Sequence, residues 1–222
     1  MIQVKSTMPS DKPTKWGRLV LQMVVGACVG GAVTAATLVL IKSNLAVFDD
    51  PQRLVAMGVG LIFLMMGAFV ALGTALPRPG SLLLNVEDAD ELRERSPDFR
   101  KSALTCGLVG ILFLVLSVTA SADAPGLLGR DAGSAIAAIA FIALAIIGFA
   151  IRNMGDELDK ALAREASALA MHASLILFGG WGILAFLGHV DFVGPLGLAA
   201  GMTAMYLAAI MWVIGRRGLM TR

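Results

Sequence analysis

Apolar stretches of about twenty residues alternate with short charged blocks along the chain, and twenty residues of helix are what a hydrocarbon core of roughly 30 Å requires. The stretches run from about 19 to 41, 54 to 76, 103 to 120, 133 to 151, 168 to 187 and 195 to 214. Backbone amides in oil have no water to bond, so each stretch must close its hydrogen bonds within itself as a helix. The pattern therefore predicts an all-α, polytopic membrane protein: a bundle of six transmembrane helices spanning 19–215. A mobile polar tail at 1–18 precedes it, and a short basic tail at 216–222 follows.

Start and stop signals fall where the pattern changes. Asp50-Pro51 offers a cap and a first-turn proline to the second span, Ser96-Pro97 repeats the signal before the third, and Gly194-Pro195 precedes the last. Pro77-Arg78-Pro79-Gly80 prevents the second helix from continuing, and Asn153-Met154-Gly155 supplies a stop after the fourth, with Asp156 as a cap for the helix that follows. Residues 156–170 read as a helix that carries the fifth span into the cytoplasm. Residues 85–100, with acids and bases interleaved, read as a solvated charged turn and helix. Trp16 reads as an interface anchor.

Composition agrees with the pattern: 57 % of the residues are hydrophobic and 15 % charged. The mean hydropathy is +0.80. Charge distribution adds an orientation. The connections at 1–18, 77–102 and 152–167 and the C-terminal end hold fifteen of the eighteen Lys and Arg residues, leaving only Lys42, Arg53 and Arg130 for the other three connections. Because cytoplasmic loops retain positive charge, this strict alternation predicts both termini inside, and a bacterial cytoplasmic (inner) membrane is the expected location. A net charge of +2 without a basic, aromatic-rich surface gives no reason to expect nucleic acid as a partner. The lipid bilayer, anionic lipids at the cytoplasmic face, and another membrane protein or a second copy are the expected partners. Cys28 and Cys106 lie inside apolar stretches and read as small hydrophobes.

Candidate chemistry is sparse. The six stretches contain no Asp, Glu, Lys or Arg, which removes the usual proton relay or ion site of a coupled transporter. No cofactor, metal site or catalytic residue is expected, and none of the common hydrolase, zinc or phosphate-loop motifs occurs. His172 is the one titratable imidazole placed within a span, and it shares a helical stripe with Glu165 and Gly179. Together with Thr105 and Ser174 it forms the candidate ligand-binding set, with Cys106 at comparable depth. The plainer expectation is an imidazole bonded to a carbonyl or hydroxyl of a neighbouring helix.

Gly179, Gly180 and Gly182 fall near the middle of the fifth span, and each weakens a helix by up to about 1 kcal/mol relative to alanine. They suit either the close approach of another helix or a hinge. Gly26-x-x-x-Gly30 and Gly197-x-x-x-Gly201 are further small-residue seams, one expected to face the protein's own bundle. Asp90-Glu91-Leu92 and Asp156-Glu157-Leu158, each followed downstream by Ser-Ala-Leu, raise the expectation of a parallel repeat.

Three functions fit these features. Small-residue faces and charged connections suit an accessory or scaffolding protein. A glycine-rich fifth helix suits a transporter or channel for a neutral or lipophilic solute, with a polar pocket at Thr105, His172 and Ser174. A membrane-embedded enzyme would need Glu165, His172 and the cytoplasmic carboxylates to converge on one cleft.

Overall fold

Asp50 accepts a hydrogen bond from the backbone N–H of Gln52 at 2.9 Å, and Pro51 occupies the first turn, so the helix that follows starts where the sequence placed its signal. That helix, α1, spans Pro51–Ala75 in a computed structural model that describes residues 30, 31, 35, 39, 50–76, 80, 81, 84, 86, 89–121, 126–151 and 157–217. After it come α2 (Ala89–Glu94), α3 (Ser96–Val118), α4 (Arg130–Ile151), α5 (Glu157–Ser174), a π-helical turn at Leu175–Gly179, α6 (Gly180–Phe186) and α7 (Pro195–Arg216). Five of the resulting rods are long and apolar enough to cross a membrane. The chain is an all-α, multi-pass membrane protein. Apart from four of its residues, the expected span 19–41 lies outside the described residues, as do the tail at 1–18 and residues 218–222.

The helices run past the edges of the apolar stretches, because helix formation does not stop where hydropathy falls. α3 begins at Ser96, and its N-cap is Arg95, with no side-chain capping bond. Ser96 is thus the first helical residue and not the cap. α5, the π turn and α6 make one rod of 30 residues, about 45 Å long, which exceeds a hydrocarbon core by roughly 15 Å.

Packing in lipid cannot draw on the hydrophobic effect between helices, so it depends on close contact of backbones and shaped side chains. α1 and α3 achieve this through glycine. A Cβ on Gly110 would lie 2.7 Å from the Leu64 nitrogen and 2.8 Å from the Gly60 carbonyl oxygen. One on Gly67 would meet the Ala103 oxygen at 2.8 Å and the Gly107 nitrogen at 2.9 Å. Along the same helix Ala56, Val59 and Phe63 bury against Phe113 of α3 and Ala200 of α7, and Met57 and Leu61 bury against Leu114 and Val118. α1 is therefore the central helix.

Around it the spans pack in the order α4, α3, α1, α7, α5, each chiefly on the next, and α4 and α5 share no extensive contact. The N-terminus of α7 is tied to α1: Gly194 offers no side-chain cap, and Gln52 Oε1 accepts from the Gly197 N–H at 3.3 Å instead. Between α3 and α4 the chain closes on itself, with the Ala120 N–H donating to Leu128 O at 2.9 Å and the Leu128 N–H to Val118 O at 3.1 Å. α4 leaves Ile139, Phe141, Ile146 and Phe149 exposed, between 65 % and 74 % of their surface. In water such a face would be an aggregation liability, whereas hydrocarbon solvates it.

Candidate functional site

Glu165, on α5 below the apolar part of the rod, accepts hydrogen bonds from both Arg216 and Arg217 at the end of α7. Each guanidinium takes a different carboxylate oxygen, so the cluster clamps the ends of the two helices together. Glu165→Gln keeps the shape, removes the charge and leaves two guanidiniums side by side. Its melting temperature in detergent is expected to fall, and the gap from the parent to narrow as salt shortens the screening length from about 10 Å towards about 3 Å. A salt-independent gap would show that packing holds these ends instead.

His172 lies seven residues further along, about 10 Å up the axis, and is exposed. Its Nδ1 is 2.7 Å from the Ala168 carbonyl oxygen of its own helix, a distance at which Nδ1 carries the proton and donates. The imidazole thus satisfies one nitrogen within its own helix. Thr105 likewise donates to its own helix, at 2.9 Å to Lys101 O. Ser174 is buried, at the last residue before the π turn. Thr105 and Cys106 belong to α3, which packs on α1 and α4, while His172 and Ser174 belong to α5, which packs on α7. The set read from the sequence is divided between two helix pairs, and Glu165 is engaged by arginines and not by His172. Among the described residues no three His, Cys, Asp or Glu side chains gather where they could hold a metal ion.

The glycine run coincides with an irregularity. Leu175–Gly179 winds as a π turn, and the Gly180 N–H bonds to both Ile176 O and Leu177 O. A Cβ on Gly179, Gly180 or Gly182 would meet nothing within 4 Å, so among the described residues no helix presses on this run. π turns mark functional or adaptable places in helices more often than chance. Beyond it, Trp181 Nε1 donates to Asp191 O at 2.9 Å and pins the loop that leads to α7. The other seam, Gly197 and Gly201, is used internally. Gly201 faces the ring of Phe178 in the π turn, and Gly197 faces Gln52 and Val193. Gly26 lies outside the described residues, and a Cβ on Gly30 would have nothing within 4 Å.

The two Asp-Glu-Leu segments take different forms. Leu92 is 1 % exposed at the middle of the short α2, whereas Leu158 is 44 % exposed at the start of a long rod. The segments are joined directly: Arg95 reaches Asp159 at 3.6 Å and Glu91 at 3.9 Å, with its guanidinium 5.9 Å from the Phe99 ring centre. Lys160 pairs with Glu157 at 3.1 Å. Asp156 lies outside the described residues.

Two features were not singled out from the sequence. Arg53, counted as a loop charge, is in the first turn of α1 and only 3 % exposed, with Nη2 donating to Ser121 Oγ at 3.2 Å. The second is a groove of about 500 Å³ between α1 and α3, floored by Gly67, Ala68, Ala71, Ala103 and Gly107, with Thr74 and Arg100 at one end. Gly60-x₆-Gly67 and Ala103-x₃-Gly107 were its sequence signal: small residues at heptad and four-residue spacing on facing helices. Comparison of the chain with protein-family models, with curated proteins and with solved structures returns no match.

Proposed function

We propose that the chain is an accessory or scaffolding subunit of a membrane assembly, acting through helix faces in the bilayer and charged connections in the cytoplasm. The observation that carries this reading is that, among the described residues, α4 rests mainly on α3 and leaves a broad apolar face exposed. A channel or carrier encloses its path between helices, whereas an exposed apolar helix face is one on which another span can dock. The reading includes six spans, with 19–41 as the first, both termini in the cytoplasm, and a bacterial inner membrane. It is supported by the Lys and Arg alternation and by the Glu165 and Arg95 ion pairs, which cluster at the ends assigned to the cytoplasm.

Purification in mild detergent or nanodiscs, followed by native mass spectrometry, tests it. A stoichiometric membrane-protein partner or a defined homo-oligomer is expected, and a monomer carrying a small solute would overturn it. The π turn favours a second reading, in which the fifth span flexes at Leu175–Gly179 to pass a neutral or lipophilic solute. Under that reading, locking the turn by Gly179→Ala and Gly180→Ala abolishes solute flux in proteoliposomes; under the scaffold reading partner binding persists.

A further inference from the structure

We infer that the groove between α1 and α3 is a binding site for one acyl chain of an anionic phospholipid of the cytoplasmic leaflet, whose phosphate is held by Arg100. The orientation rests on the topology proposed above, in which the 77–102 connection is cytoplasmic.

Three observations converge. Length is the first: the groove runs from Leu64 and Ile111 to Ala75 and Arg100, about 16 Å along the helices, which is one leaflet of a hydrocarbon core of roughly 30 Å. A chain lying in it would end near the bilayer midplane and begin at headgroup level. Shape is the second. Gly67 and Gly107 bring the two backbones together as a floor, Ala68 and Ala71 keep the channel open, and Leu104 and Ile111, 54 % and 42 % exposed, form one wall. This leaves a long, narrow, apolar slot open to the side, suited to a flexible methylene chain rather than to a second helix of about 10 Å diameter.

Charge is the third. Arg100 lines the end of the slot at interface depth and enters no ion pair among the described residues. By contrast Arg93, Arg95, Arg216 and Arg217 are engaged by carboxylates, and Arg164, which enters none of these pairs, does not line the slot. A guanidinium presents a planar fork that matches phosphate oxygens, so a lipid with net negative charge is favoured over a zwitterionic one.

The test uses the full-length protein in vesicles of phosphatidylcholine containing a trace of spin-labelled phosphatidylglycerol or spin-labelled phosphatidylcholine, read by electron paramagnetic resonance. The parent is expected to immobilise the anionic label several-fold more strongly than the zwitterionic one. Arg100→Gln is expected to remove that preference while leaving the immobilised fraction of the zwitterionic label, and Ala71→Leu, which fills the slot without touching the α1–α3 backbone contact, to reduce both. Equal association of the two labels in the parent, or a preference unchanged in both variants, overturns the proposal. So does efficient cross-linking of Ala71→Cys to the native Cys28 in a Cys106→Ser background, which would put the chain's own 19–41 segment in the groove. Neither overturning result bears on whether a protein partner co-purifies, so the scaffold reading stands or falls separately.

Discussion

Gly110→Ala is expected to destabilise the protein by about 2–3 kcal/mol, the upper part of the range for overpacking a tight interior. The added carbon would sit 2.7 Å from one backbone atom and 2.8 Å from another, both on α1, and backbone cannot swing aside as a side chain can. α1 and α3 must separate, and separation costs dispersion contacts along the whole central pair. The control is Gly148→Ala on α4, where the new methyl meets nothing within 4 Å. That change raises helix propensity without a clash, so it is expected to leave stability unchanged or raise it by up to about 1 kcal/mol. Unfolding in mixed micelles with increasing denaturing detergent, followed by circular dichroism, reads both. Loss at Gly110 with none at Gly148 is the expected pair of results; equal effects would show that the close contact does not hold the helices.

Ile139→Arg is expected to impair membrane insertion by about 2.5–3.5 kcal/mol, the cost of an arginine at the centre of a spanning helix. Ile139 lies near the middle of α4 and is 68 % exposed, so the guanidinium would face hydrocarbon and not a neighbouring helix. The same substitution on a water-facing helix surface would be nearly neutral, which makes the sign and size diagnostic of the solvent. Glycosylation-mapped insertion of α4 in microsomes reads the difference. Efficient insertion of the variant would contradict a lipid-facing position.

Much of this architecture is legible in the residues because two physical constraints act on sequence directly. Hydrocarbon thickness fixes the length of each apolar run, and helix starts need caps or prolines. Hence Pro51, Pro97 and Pro195 all fall in first turns, and residues 157–170 continue into the fifth span as one helical rod. What escapes is anything set by the neighbour. Gly179, Gly180 and Gly182 look like the densest packing seam yet meet nothing within 4 Å among the described residues, while Gly60 and Gly110 hold the backbones of α1 and α3 in close contact. A glycine records that space is wanted on that face, not what occupies it.

Arg53 and the candidate site illustrate the same limit. A charge next to Asp50-Pro51 reads as part of a loop, but the first turn of α1 draws it inside, where Ser121 accepts from it across the loop after α3. His172, Thr105 and Ser174 share a depth in the sequence, but depth does not say which helices adjoin. Thr105 is on α3, which packs chiefly on α1 and α4, whereas His172 and Ser174 are on α5, which packs on α7, so the three residues belong to different helix pairs. The 1 % exposure of Leu92 against 44 % for Leu158 likewise shows two similar tripeptides answering to different surroundings.

That these helices cross a bilayer is tested most directly by washing isolated membranes with alkaline carbonate and then with detergent. The protein is expected to stay in the pellet through carbonate and to enter the supernatant only with detergent. Release by carbonate alone would contradict the multi-pass membrane structure.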